Sequence, residues 1–150
     1  MIGVLVVTHG AIGEALLHSA EQILGAKQAR AAAFGVSRSD APEAVLARLR
    51  KLAAQLDGGE GLLVLTDMFG ATPCNVAQRL ADGVRVKVVT GVNVPMLWRA
   101  LCYASEPLDS LVTRALAGAT QGALQVTPTR PQNQARNPSD PDEKNHRHDQ

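Results

Sequence analysis

A chain of 150 residues with 45% apolar and 19% charged side chains has the balance of one globular domain with a real core. A formal net charge of +1 and a scarcity of aromatics, confined to Phe34, Phe69, Trp98 and Tyr103, exclude the basic, base-stacking surface that nucleic-acid binding needs. Two cysteines outside any CxxC motif, no basic leader-like start and no run of about 18 apolar residues lead us to expect a soluble cytoplasmic protein without membrane insertion.

Ile2, Val4, Leu5, Val6 and Val7 form a nearly continuous, β-branched run, the pattern of a strand buried on both faces of a parallel sheet. The run ends in Thr8-His9-Gly10, and Gly10 and Gly13 permit a tight turn into a helix over 11–24. Helical spacing puts Ile12, Leu16, Ala20 and Ile23 on one apolar face of it. Residues 31–36 read as a second strand, weak because it is poor in β-branched side chains. Ser39-Asp40-Ala41-Pro42-Glu43 carries helix-start chemistry: a capping side chain, an early proline and an acidic first turn. Val45, Leu46, Leu49, Leu52, Ala53 and Leu56 make the stripe of that helix, and Asp57-Gly58-Gly59 ends it.

Leu62 to Leu65 is another buried strand, finishing in Thr66-Asp67. Thr72-Pro73 has the form of an N-cap with proline at the first helical position, opening a helix to about Ala81. Val84 to Val88 alternates with period two, which predicts an edge strand with one wetter face. Asn93-Val94-Pro95 opens a fourth helix to about Ala104, and Ser105-Glu106-Pro107 opens a fifth. The alternation implies the α/β class: an open, mostly parallel sheet of four strands with helices on both faces. From Thr127 the pattern changes to Pro128, Pro131, Pro138 and Pro141 among polar residues. The expected division is therefore a domain over 1–126 and a disordered Pro-rich tail over 127–150.

Three strand ends bring candidate groups to one sheet edge: Thr8-His9-Gly10, Thr66-Asp67 and Thr90-Gly91-Val92-Asn93. Open α/β sheets place their chemistry at that carboxyl edge. A carboxylate at Asp67 that takes the proton of one His9 ring nitrogen leaves the other free to attack. Helix N-termini at about Ala11 and at Thr72-Pro73 are anion sites aimed at the same place. A nucleophilic histidine, an orienting carboxylate and converging amides suit a phosphoryl group. The plainer alternative makes His9 a turn residue and Asp67 a loop or helix cap. Cys74, in the first turn of a helix, opens a different class, a Cys–His acyl-transfer or redox enzyme; the simpler reading is a buried structural cysteine. His18 falls opposite the apolar stripe and reads as solvated. His146-Arg147-His148 has no companion ligands, and no GxxxxGK[ST] loop is present, so neither a metal nor a nucleotide cofactor is expected.

T-H-G-A-I-G-E-A-L after the first strand, T-D-M-F-G-A-T-P-C-N-V-A after the third and G-V-N-V-P-M-L after the fourth occur in order within residues 1–126. Together they resemble the enzyme IIA domain of the mannose family of the bacterial phosphoenolpyruvate-dependent sugar phosphotransferase system. The resemblance implies a homodimeric phosphocarrier in sugar uptake or its regulation. It would take a phosphoryl group from the histidine-containing phosphocarrier protein and pass it to a separate IIB partner. His9 matches the family's phosphorylated histidine, carrying the group on its tele nitrogen, and Asp67 matches the carboxylate that orients it. Gly10, Ala11, Gly70, Ala71 and Thr72 are the phosphate-contacting set implied. Thr72 keeps the hydroxyl where the family commonly has serine, whereas Ala71 replaces a frequent second glycine and restricts that loop. The family's segment after the last helix crosses to the partner's sheet, which makes Ala123 to Thr127 a candidate fifth strand. A regulatory phospho-switch and the phosphotransferase subunit of dihydroxyacetone kinases, which shares the fold, are alternatives of the same kind.

Overall fold

A computed structural model describes residues 1–129. The elements alternate: β1 (Gly3–His9), α1 (Ile12–Leu24), β2 (Ala31–Val36), α2 (Pro42–Leu56), β3 (Leu62–Thr66), α3 (Thr72–Gln78), β4 (Val86–Thr90), α4 (Val94–Cys102) and α5 (Leu108–Gly122). All strand pairs are parallel and the order is β2-β1-β3-β4, so β1 and β3 are central and β2 and β4 are edges. Two apolar clusters sandwich the sheet. Ile2, Val4, Val6, Leu63 and Leu65 pack against α1, α4 and α5 on one face. Leu5, Val7, Leu62 and Val64 pack against α2 and α3 on the other. Burial on both faces is why β1 and β3 are continuous apolar runs, as the α/β alternation predicts.

The expected face of α1 is turned by about one residue. Its buried residues are Gly13, Leu17 and Ala20, while Ile12 and Ile23 are 49% and 62% exposed. Contact through Gly13, whose N–H donates to Thr8 Oγ1 at 2.6 Å, sets this rotation. A glycine that lets a helix approach a sheet adds nothing to an apolar stripe, so hydrophobic spacing places Ala20 correctly and Leu16 at the margin of the core but misplaces Ile12 and Ile23.

Two expected N-caps are also displaced. Ala41 and Ala71 occupy the cap positions of α2 and α3, without side-chain hydrogen bonds. Thr72 is the first helical residue, and Asp40 instead ties its own loop by accepting from the Ser37 N–H at 2.8 Å. Asn93 does cap α4, accepting from the Met96 N–H at 2.9 Å. Helix α3 stops at Gln78 rather than near Ala81, its chain tightening through i to i−3 bonds at Arg79, Leu80 and Ala81. Strand β4 begins two residues later than its alternation suggests, because Asp82 Oδ1 takes the N–H groups of Val84, Arg85 and Val86 into a turn. Residues 123–129 follow α5 as exposed, irregular chain. The rest of the Pro-rich segment, with His146-Arg147-His148, lies outside the described residues. No helix among the described residues is long and apolar enough to cross a membrane.

Candidate functional site

The site sits where the chain leaves β1 for one side of the sheet and β3 lies on the other. His9 is the last residue of β1, level with Val36 at the end of β2. Gly10 then turns at φ +48°, and its N–H donates to the Val36 carbonyl oxygen at 3.0 Å. The turn lies so close to β2 that a Cβ on Gly35 would stand 2.2 Å from the Gly10 carbonyl oxygen. The glycine pair therefore locks the residue after His9 to the neighbouring strand.

Asp67, one residue beyond β3, reaches across to this turn. Its Oδ2 accepts from the His9 backbone N–H at 2.9 Å and lies 2.7 Å from His9 Nδ1. Its Oδ1 accepts from the Met68 N–H at 3.0 Å. An ionised carboxylate can only accept, so Nδ1 carries the ring proton and Nε2 holds the lone pair. Nε2 has no hydrogen-bond partner among the described residues. The His9 side chain is 48% exposed and that of Asp67 only 13%, so the carboxylate is sheltered and the ring accessible. Burial pushes the Asp67 carboxyl upward, but hydrogen bonds from the His9 backbone and ring, with the ring's charge, hold it below the usual carboxylate range.

Beside His9 opens a cavity of about 650 Å³ lined by Arg38, Gly70, Ala71, Thr72 and Asn75 among others. Three of the five residues implied as phosphate contacts, Gly70, Ala71 and Thr72, thus stand on one wall with His9. Gly10 and Ala11 are not on that wall, and the Gly10 N–H is already spent on Val36. The third strand end serves the fold: the Val92 N–H donates to the Thr66 carbonyl oxygen at 2.9 Å, and Asn93 caps α4. Cys74 is buried, lines a different cavity with Phe69 and Thr90, and makes no hydrogen bond to His9. His18 is exposed, as expected.

The loop after β2 is the part that sequence reasoning missed. Ser39 and Asp40 read as helix-start chemistry, yet Ser37, Arg38 and Asp40 line the cavity with His9. The signal was available in the rule that carboxyl ends of parallel strands carry the chemistry, applied to β2 as to the others.

The sequence model of the EIIA-man family, described as PTS system fructose IIA component, matches residues 3–116. The chain belongs to this family. The PTS system mannose-specific EIIAB component of Escherichia coli (strain K12) is 32% identical over 132 residues, covering 85% of this chain and 41% of that protein. The chain thus spans less than half the length of the curated relatives it matches. The mannose/sorbose specific IIA subunit of phosphotransferase system from Enterococcus faecalis superposes with a TM-score of 0.77 at 25% identity, over 86% of this chain and 97% of that one. The phosphotransferase system component EIIA from Streptococcus agalactiae gives 0.74 at 28% identity, over 83% and 97%. This EIIA-man chain is accordingly a mannose-family component of the sugar phosphotransferase system, and the matched span contains both His9 and Asp67.

Proposed function

We propose that this protein is a phosphocarrier whose acceptor atom is His9 Nε2, loaded by the phosphorylated histidine-containing phosphocarrier protein and unloaded by a separate IIB component. It would act in the cytoplasm, in sugar uptake or its regulation. The observation that carries the reading is the 2.7 Å contact of Nδ1 with Asp67 Oδ2, which leaves Nε2 as the nucleophile beside an open cavity.

The lone pair on Nε2 attacks the donor's phosphorus as the donor's N–P bond breaks. The donor ring, protonated on its other nitrogen, departs as neutral imidazole. His9 gains an N–P bond and a cationic ring, whose Nδ1–H stays on the Asp67 carboxylate. Transfer to the acceptor reverses these changes, and Nε2 recovers its lone pair. Such a step asks the protein for position and charge compensation, with no metal or nucleotide cofactor required of this chain.

The homodimer belongs to the same proposal. Strand β4 pairs only with β3 among the described residues, and an edge of this kind needs a partner or protection. Leu124 and Val126, 68% and 84% exposed after α5, suit a fifth strand laid along a second copy's β4. The functional test is phosphoryl transfer from the labelled donor: wild type should take acid-labile label, and His9→Ala none. Label that survives in His9→Ala, or resists acid, would refute the carrier reading.

A further inference from the structure

A phosphoryl group on Nε2 brings two negative charges into a cavity that one carboxylate already lines, with a second behind the ring. Asp67 stands on the far side of the ring, and Asp40 lines the wall. Arg38 is the one lysine or arginine among the lining residues. It has no ion-pair or hydrogen-bond partner among the described residues, unlike Arg79, Arg85 and Arg114, each paired with a carboxylate. Its backbone, in contrast, is held. The Asp40 carboxylate accepts from the Ser37 N–H at 2.8 Å, the Ser37 and Ser39 hydroxyls lie 3.2 Å apart, and the Gly10–Val36 bond fastens the root of the loop to the His9 turn.

We propose that Arg38 is the phosphoryl-holding cation of this site, its guanidinium binding the oxygens of the group carried on His9 Nε2. The proposal rests on the carrier reading for its physiological ligand. Its chemistry is that of a planar fork of donors matched to phosphate oxygens. A fixed root with a free head suits a group that must grip after loading and release on unloading. Solvent exposure keeps the grip moderate and sensitive to salt.

The test uses inorganic phosphate on the full, unphosphorylated chain, read through the His9 ring resonances. Wild type should show a saturable shift. Arg38→Gln should weaken phosphate binding about fivefold or more, and Arg38→Lys by less, since lysine keeps the charge but loses the fork. Arg50→Gln, the same charge change on α2 away from the cavity, should bind as wild type does. Equal affinities for wild type and Arg38→Gln would overturn the assignment. So would an equal loss in Arg50→Gln, or no saturable shift in wild type at the highest soluble phosphate concentration. Labelled-donor transfer is measured in parallel. A wild type that accepts no label on His9 refutes the carrier reading, while the phosphate titration still decides the role of Arg38.

Discussion

The two edges of the sheet solve the same problem with the same residue. At the amino edge Asp57 accepts from the Gly59 and Gly61 N–H groups, and Asp82 accepts from Val84, Arg85 and Val86. At the carboxyl edge Asp67 accepts from the His9 and Met68 N–H groups. All three close a turn around backbone donors, and all three carboxyls sit below their ordinary range. The difference lies in what else each one touches. Asp57 spends its second oxygen on Arg85, a fixed cation, whereas Asp67 shares one oxygen between a backbone N–H and a ring whose charge can change. On the proposed function, a turn-closing aspartate becomes part of a reactive site because its remaining contact is a histidine ring.

The largest expected effect breaks the carboxyl edge alone. His9→Ala should abolish phosphoryl acceptance, and Cys74→Ala should leave it nearly unchanged, both measured with labelled donor. Asp67→Asn comes next. It removes the charge under the ring and can present an amide donor to Nδ1, which favours the wrong tautomer. A charge-assisted hydrogen bond is worth roughly 1.5–3 kcal/mol, so the transfer rate should fall about ten- to a hundredfold. The fold, followed by circular dichroism, should be retained because Asp67 stands at a rim. A folded Asp67→Asn protein that transfers at the wild-type rate would reduce this residue to the role of its counterparts at the other edge.

Asp82→Ala should give the opposite result: a lower melting temperature with an unchanged transfer rate. Its three backbone donors lose their acceptor and the start of β4 loosens, far from His9. Acid sharpens the contrast. The Asp82 carboxyl lies below its ordinary 3.8 because the Val86, Val84 and Arg85 N–H groups bind the ionised form. Depressed folded-state values stabilise above the unfolded value and lose that contribution as pH falls through the folded one. The Asp82 contribution should thus be level above about pH 4 and be lost below it, so stability should decline with acid less steeply in Asp82→Ala than in wild type. Thermal melts across that range measure the slopes.

The smallest effect is expected outside both edges. Truncation after Pro128 should leave melting temperature and transfer unaltered, because the two apolar clusters that hold the sheet extend no further along the chain than Ala119. Light scattering on that variant also tests the fifth strand, since residues 123–127 are retained. A mass of one truncated chain, below the 15.8 kDa of the full chain, in place of a dimer would count against strand exchange.

Local order in this protein was legible wherever one residue pattern has one physical meaning. Continuous β-branched runs meant strands β1 and β3 buried on both faces, Asn93 before Val94-Pro95 meant the start of α4, and a strand ending in His9 placed an accessible histidine at the rim. Patterns with two meanings misled. Gly13 is an apolar contact that no hydropathy stripe counts, and Asp40 and Thr72 are capping residues whose neighbours occupy the caps. Only tertiary structure could decide which strands stand side by side. The order β2-β1-β3-β4 sets Asp67 against one side of His9 and the Arg38 loop against the other. Periodicity reports which face of an element is buried, because that depends on side chains a few residues apart. It carries no record of which distant element will cover that face, and here the neighbours of β1 supply both the orienting carboxylate and the cation on the cavity wall.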